Sequence, residues 1–108
     1  MSKRKKKHSQ QQYSRKTVKQ CLINLAGTRC MCCGRDVGSE ITWHHLKPRY
    51  AGGQDTLVNA SLLCSNCHTH IHRYQWGTEE YMRLTKIILE RRLEYTDYLA
   101  IFNSFSFD

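Results

Sequence analysis

Six cysteines and six histidines stand out in this 108-residue chain, and their spacing says what they could do. Cys30 and Cys33 form one C-x-x-C pair, Cys64 and Cys67 a second. Each pair can bring two thiolates onto one ion, and four thiolates make the closed tetrahedral site of structural zinc. The thirty residues between the pairs leave room for a strand pair and its loop. Cys32 has the wrong spacing for the knuckle and reads as a spare thiol. Five of the histidines cluster: His44 and His45 lie between the knuckles, and His68, His70 and His72 follow Cys67 in "CHTHIHR". On a helix, His68 and His72 share one face, a common metal-binding geometry, and His70 points elsewhere. His44 and His45 are neighbours in an extended segment, so their side chains face opposite ways and should do different jobs.

These residues need elements to hold them. "SRKTVKQCLINLAG" places Val18, Cys21, Leu22 and Leu25 on one helical stripe, with Ser14 as N-cap and Gly27 as stop. On this reading Cys21 is a core residue. "RCMCCGRDVG" is a tight knuckle, and Ile41, Thr42 and Trp43 have strand character, with Trp43 in the core. "KPRYAGGQDTLVNA" reads as a loop. "SLLCSNCHTHIHRYQ" starts extended and turns helical. The longest helix follows Thr78, with Glu79 and Glu80 at its positive end and Tyr81, Leu84, Ile88, Tyr95 and Leu99 near helical spacing. The aromatic tail (Tyr98, Phe102, Phe105, Phe107) is expected to pack back on the core.

The charge is uneven. Of 17 Lys and Arg, eight fall before residue 20, leaving nine against nine Asp and Glu in the rest. A basic block such as Lys3, Arg4, Lys5, Lys6 and Lys7 is usually disordered and often binds nucleic acid. No apolar run is long enough for a transmembrane helix, and none follows the basic N-terminus as in a secretory signal. The expectation is a cytoplasmic protein with no membrane partner, in a compartment where closely spaced cysteines bind metal rather than form disulfides.

The pattern "C-x-x-C-G … W-H-H-L-x-P-R … G-G … N-x-x-L-L-C-x-x-C-H-x-x-x-H", over about residues 29–73, resembles the zinc-stapled branch of the HNH nucleases. The resemblance implies a small α+β fold. Its ββα-metal core would be stapled by a four-cysteine structural zinc and flanked by an N-terminal helix and a long C-terminal helix. The expected organisation is a flexible basic arm (1–13), the nuclease core with its preceding helix (14–76), and the C-terminal helix with its aromatic tail (77–108). Matched residue by residue, the family pattern makes His45 the general base. His44 becomes the metal ligand before it, a position that is Asp in many members. Asn59 becomes the residue that holds the active-site loop and orients the base, and His68 and His72 become further ligands.

The chemistry agrees with those roles. Phosphodiester hydrolysis needs a water made nucleophilic, and neutral imidazole can take its proton near pH 7. Such a base needs an acceptor for its Nδ1–H, which an oxygen of a residue such as Asn59 would supply. Besides the structural Zn2+, one catalytic divalent metal is expected. Imidazole ligands favour Zn2+, Ni2+, Mn2+ or Co2+ over Mg2+, although substrate phosphate and water could complete an oxygen-rich shell for Mg2+. Lys47, Arg49 and Arg73 are candidates for contacts to DNA phosphates. The expected function is a metal-dependent DNA endonuclease of low sequence specificity. Phage DNA processing or packaging, with terminase as partner, is the setting such a small bacterial or phage-encoded nuclease suits. The competing reading is a non-catalytic zinc-knuckle DNA-binding module.

Overall fold

A computed structural model of the protein describes residues 14–96. The expected arm contacts of Lys3, Arg4, Lys5, Lys6 and Lys7, and the expected packing of the aromatic tail, lie outside the described residues.

The elements run in the order α1 (Arg15–Ala26), β1 (Thr42–His45), β2 (Ala60–Leu63), α2 (Ser65–Ile71) and α3 (Glu79–Tyr95). The strands form an antiparallel pair in which Thr42 faces Leu63, Trp43 faces Leu62, His44 faces Ser61 and His45 faces Ala60. β2 runs into α2 through Cys64, whose thiol caps the helix by accepting from the Cys67 N–H. This strand pair followed by a helix is the small α+β, ββα-metal arrangement that the sequence pattern implied.

α1 begins where Ser14 Oγ accepts from the Thr17 N–H at 3.1 Å, and it ends at Gly27 with φ +79°. Its buried face is Val18, Leu22 and Ala26. Cys21 is exposed, which corrects its expected place in the core. One residue before Leu22, it is turned about 100° from the centre of that face.

α3 is capped by Thr78, whose hydroxyl accepts from the Tyr81 N–H at 3.3 Å. It presents Tyr81, Leu84, Ile88 and Arg92 inward. β2 is buried along its whole length because α1 and α3 both pack against it. Leu22, Leu62, Leu63 and Ile88 are at 0% exposure in the same cluster, each contributing roughly 1.5–3 kcal/mol by burial.

The segment between the strands, expected as loop, contains two short 3-10 turns at Arg49–Ala51 and Leu57–Asn59. Gly53 is required by close packing: a Cβ there would lie 1.6 Å from the Lys47 carbonyl oxygen. Arg92 holds the second turn from below. Its Nη1 donates to the carbonyls of Val58 at 2.9 Å and Ala60 at 2.8 Å.

Candidate active site

Cys30, Cys33, Cys64 and Cys67 bring their sulfurs within 4.8 Å of one another. The first knuckle is carried by a small hairpin in which Cys30 N–H bonds Arg35 O at 2.8 Å. The Met31 N–H to Leu62 O bond at 2.8 Å fastens that hairpin to β2. The second knuckle is the start of α2. Cys33 Sγ and Cys64 Sγ are 3.9 Å apart; a tetrahedral ion with metal–sulfur bonds of about 2.3 Å requires about 3.8 Å. Backbone N–H groups of Cys32 and Cys33 point at Cys30 Sγ, and that of Cys67 points at Cys64 Sγ. Burial by itself would raise the Cys64 thiol. The Cys67 N–H, the neighbouring thiols and Arg35, at 3.9 Å, outweigh it and pull it down to about 6. The donor set is that of a bound thiophilic cation. Cys32 stands half-buried beside it, outside the four-sulfur group.

The second cluster lies where β1 faces α2. His44, His68 and His72 each place a ring nitrogen within 4.8 Å of the others. His68 and His72 stack at 4.8 Å between ring centroids, and His44 meets both edge-on at 5.3 and 5.5 Å. His70 faces Tyr74 instead. His44 is 1% exposed, and neither of its ring nitrogens has a hydrogen-bond partner among the described residues. A buried imidazole with two idle nitrogens is costly, and an ion bound at one of them would remove part of that cost. Burial first, then His68 and His72, lowers its pKa from 6.5 to about 3, which keeps it in the neutral, ligating form. Burial also lowers His68.

A hydroxyl fixes the tautomer of His68. Thr42 Oγ1 donates its single proton to the Leu63 carbonyl at 2.7 Å. It can therefore only accept from His68 Nδ1, also at 2.7 Å, which leaves His68 Nε2 as the lone-pair nitrogen. The residues present fit a divalent cation held by three imidazoles. Thr42, Ser65, His68, Thr69 and His72 line an open cleft of about 450 Å³ on this side.

His45 points away from that cage. Its ring packs on Trp43 at 4.4 Å, and its Nε2 bonds Asp55 Oδ1 at 2.8 Å. The acceptor is thus the Asp55 carboxylate, reached through Nε2, and Nδ1 is the nitrogen without a hydrogen bond among the described residues. This corrects the expected geometry, in which Asn59 accepted from Nδ1–H. Asn59 works one step away. Its Oδ1 accepts from Lys47 N–H at 2.9 Å, and its Nδ2 donates to Lys47 O and to Gln54 O. It pins the loop that carries Asp55. The hydrogen bond from His45, then Arg49 and Arg15, holds the Asp55 carboxyl below its usual range.

Of the expected phosphate contacts, Lys47 and Arg73 are exposed. Arg49 lies 3.7 Å from Asp55, as does Arg15 at the start of α1. Trp43, expected in the core, is half-buried against it. Asp55, Thr42 and Arg92 carry no signal in the sequence: each is an isolated polar residue whose partner is settled only by the fold. Near the cage, Tyr81 is 1% exposed, and its hydroxyl has no partner among the described residues. Burial and the nearby Tyr50 push that hydroxyl up to about 12.

The family model of the HNH endonucleases matches residues 30–74, the span from the first knuckle to just past the histidine cage. Anaredoxin of Nostoc sp. (strain PCC 7120) is 34% identical over 61 residues, covering 56% of this chain and 79% of that protein. The type IV methyl-directed restriction enzyme EcoKMcrA of Escherichia coli K12 is 28% identical over 81 residues, or 68% of this chain. The match spans 29% of the length of that enzyme.

Proposed function

We propose, from the premise that this chain belongs to the HNH endonuclease family, that it is a metal-dependent endonuclease hydrolysing phosphodiester bonds in DNA. One observation carries the reading: two adjacent histidines of β1 are split between a three-imidazole cage and a separate imidazole–carboxylate pair. A non-catalytic zinc knuckle accounts for neither.

In this reading His45 Nδ1 takes the proton of the attacking water. Asp55 holds the ring in the tautomer that leaves Nδ1 free, and it stabilises the imidazolium that forms. Asn59 keeps the Asp55 loop in place. His44, His68 and His72 would hold the catalytic ion through ring nitrogens. A divalent cation there supplies positive charge to the phosphate and its leaving oxygen. In-line displacement would need base and ion on different sides of the phosphorus, and the alternation of β1, which turns His44 and His45 to opposite faces, supports that division. Cys30, Cys33, Cys64 and Cys67 hold the structural ion, for which we propose zinc; a four-sulfur site also accepts iron, and metal analysis separates the two. The basic arm, with Lys47 and Arg73, binds phosphates and carries no base readout. Cleavage of low sequence specificity and a cytoplasmic setting, for a bacterial or phage-encoded protein, belong to the same proposal. Phage DNA processing or packaging beside a terminase, mobile-element homing and restriction, the setting of EcoKMcrA, all use this chemistry.

The test is plasmid cleavage with a panel of Mg2+, Mn2+, Ni2+, Co2+ and Zn2+, run beside His45→Ala. Cleavage should need added metal and fall on the order of 10²-fold or more in the variant. Equal rates for the two proteins refute the assignment of the base. Salt-sensitive DNA binding without cleavage by wild type favours the binding-module reading instead.

A further inference from the structure

The histidine cage has a polar problem that a metal alone does not solve. His44 has two buried ring nitrogens without partners among the described residues. A cation takes one. The other must then carry the proton, because neutral imidazole keeps one N–H. A ligating histidine normally gives that proton to an acceptor, which fixes the ring and raises its basicity. His68 already has this arrangement through Thr42. On the cage side, the rings that His44 meets among the described residues are those of His68 and His72, which would be ligands themselves.

A second buried group nearby has the opposite lack. The Tyr81 ring lies 6.4 Å from the His44 ring, tilted by 41°. Its hydroxyl is buried and has no partner among the described residues. Trp76 also meets the Tyr81 ring, edge-on at 5.7 Å. The remaining idle buried donor on β1, Trp43 Nε1, belongs to a residue that alternates to the other face of the strand. A buried polar atom left unpaired costs about 1–3 kcal/mol, and two such atoms on neighbouring rings can satisfy each other.

We infer that Tyr81 is a positioning residue of the catalytic centre: its hydroxyl accepts the second ring N–H of His44, directly or across one water, when the cage holds a metal. The inference rests on the cage being the nuclease's metal site. It gives α3, outside the span of the family match, a part in that site.

Tyr81→Phe removes only the oxygen and is the test, with Mn2+ or Co2+ titrated by calorimetry into zinc-retaining protein. The expected result is metal affinity weakened on the order of 10-fold or more. The metal-free variant should meanwhile be at least as resistant to urea as wild type, since an unpaired buried hydroxyl has gone. A purely structural role for Tyr81 predicts lower stability with unchanged affinity. Trp76→Phe, which keeps the ring packing and touches neither polar atom, should leave affinity near wild type. Affinity within twofold of wild type in Tyr81→Phe overturns the inference, provided His44→Ala abolishes the binding. Wild-type protein that takes up no second metal overturns both this inference and the reading of the cage.

Discussion

At the scale of single residues, the site depends on which nitrogen holds a proton. Asp55 decides this for His45. Asp55→Ala should lower kcat on the order of 10²-fold or more, while calorimetric metal affinity stays near wild type, because the carboxylate touches the base and not the cage. A parallel loss of metal binding would contradict that separation. For His44 the consequence is a pH dependence. The unfolded chain protonates this group near 6.5, whereas the folded one resists down to about 3. Within that window the unfolded state binds the extra proton. Stability of protein with a metal-free cage therefore falls as pH drops from 6.5 towards 3, and this group contributes no slope above 6.5. Its share reaches about 1.4 kcal/mol per pH unit. Urea unfolding between pH 7.5 and 5 should show a shallower dependence for His44→Gln than for wild type; equal slopes would count against it. His44 and His68 were legible in the sequence because metal chemistry restricts both residue type and spacing. Asp55 was not, because it reaches His45 only after Gly53 and Asn59 fold the intervening loop.

At the scale of elements, the loop between the strands is held from several directions. Asn59 bonds it internally, and Arg92 grips the turn that presents Asn59. Arg92 is 7% exposed, so replacing it with Met leaves several backbone carbonyls short of a donor. We expect Arg92→Met to cost about 2–4 kcal/mol in urea unfolding and to reduce cleavage through displacement of Asn59. Unchanged stability would mean that the turn holds itself. Gly53→Ala should damage cleavage more than zinc content, since the Cβ meets the Lys47 carbonyl and not the knuckles. Helix ends were readable from caps such as Ser14 and Thr78, whose local chemistry is self-contained. The exposure of Cys21 was not. Periodicity gives a stripe about 100° wide or more, and only packing against β2 selects its centre.

At the scale of the whole molecule, two clusters that could each hold a metal ion, one of sulfurs and one of imidazoles, share the short run from Cys64 to His72. The four-sulfur site joins the first hairpin to α2 and stands in for core in a chain of this size. Mild chelation should strip the histidine cage and abolish cleavage while circular dichroism stays native. Stronger chelation or thiol modification should unfold α2 as the four-sulfur ion leaves. Loss of the fold under mild chelation would show the two sites to be inseparable. Deleting residues 1–13 should flatten the salt dependence of DNA binding, by about 0.9 in log–log slope for every phosphate that the arm neutralises.

The strand register Thr42↔Leu63 to His45↔Ala60 also has a consequence for how such a chain can change over generations. On the proposed reading, substitutions at positions 44, 68 and 72 act on the imidazole cluster, and those at 45 and 55 act on the imidazole–carboxylate pair. A one-residue insertion or deletion just before His44 does something different. It exchanges the faces of the two imidazoles, presenting the base to the cage and the ligand to Asp55. The length of this strand is therefore constrained, on the proposed reading, more tightly than the identity of most residues in it.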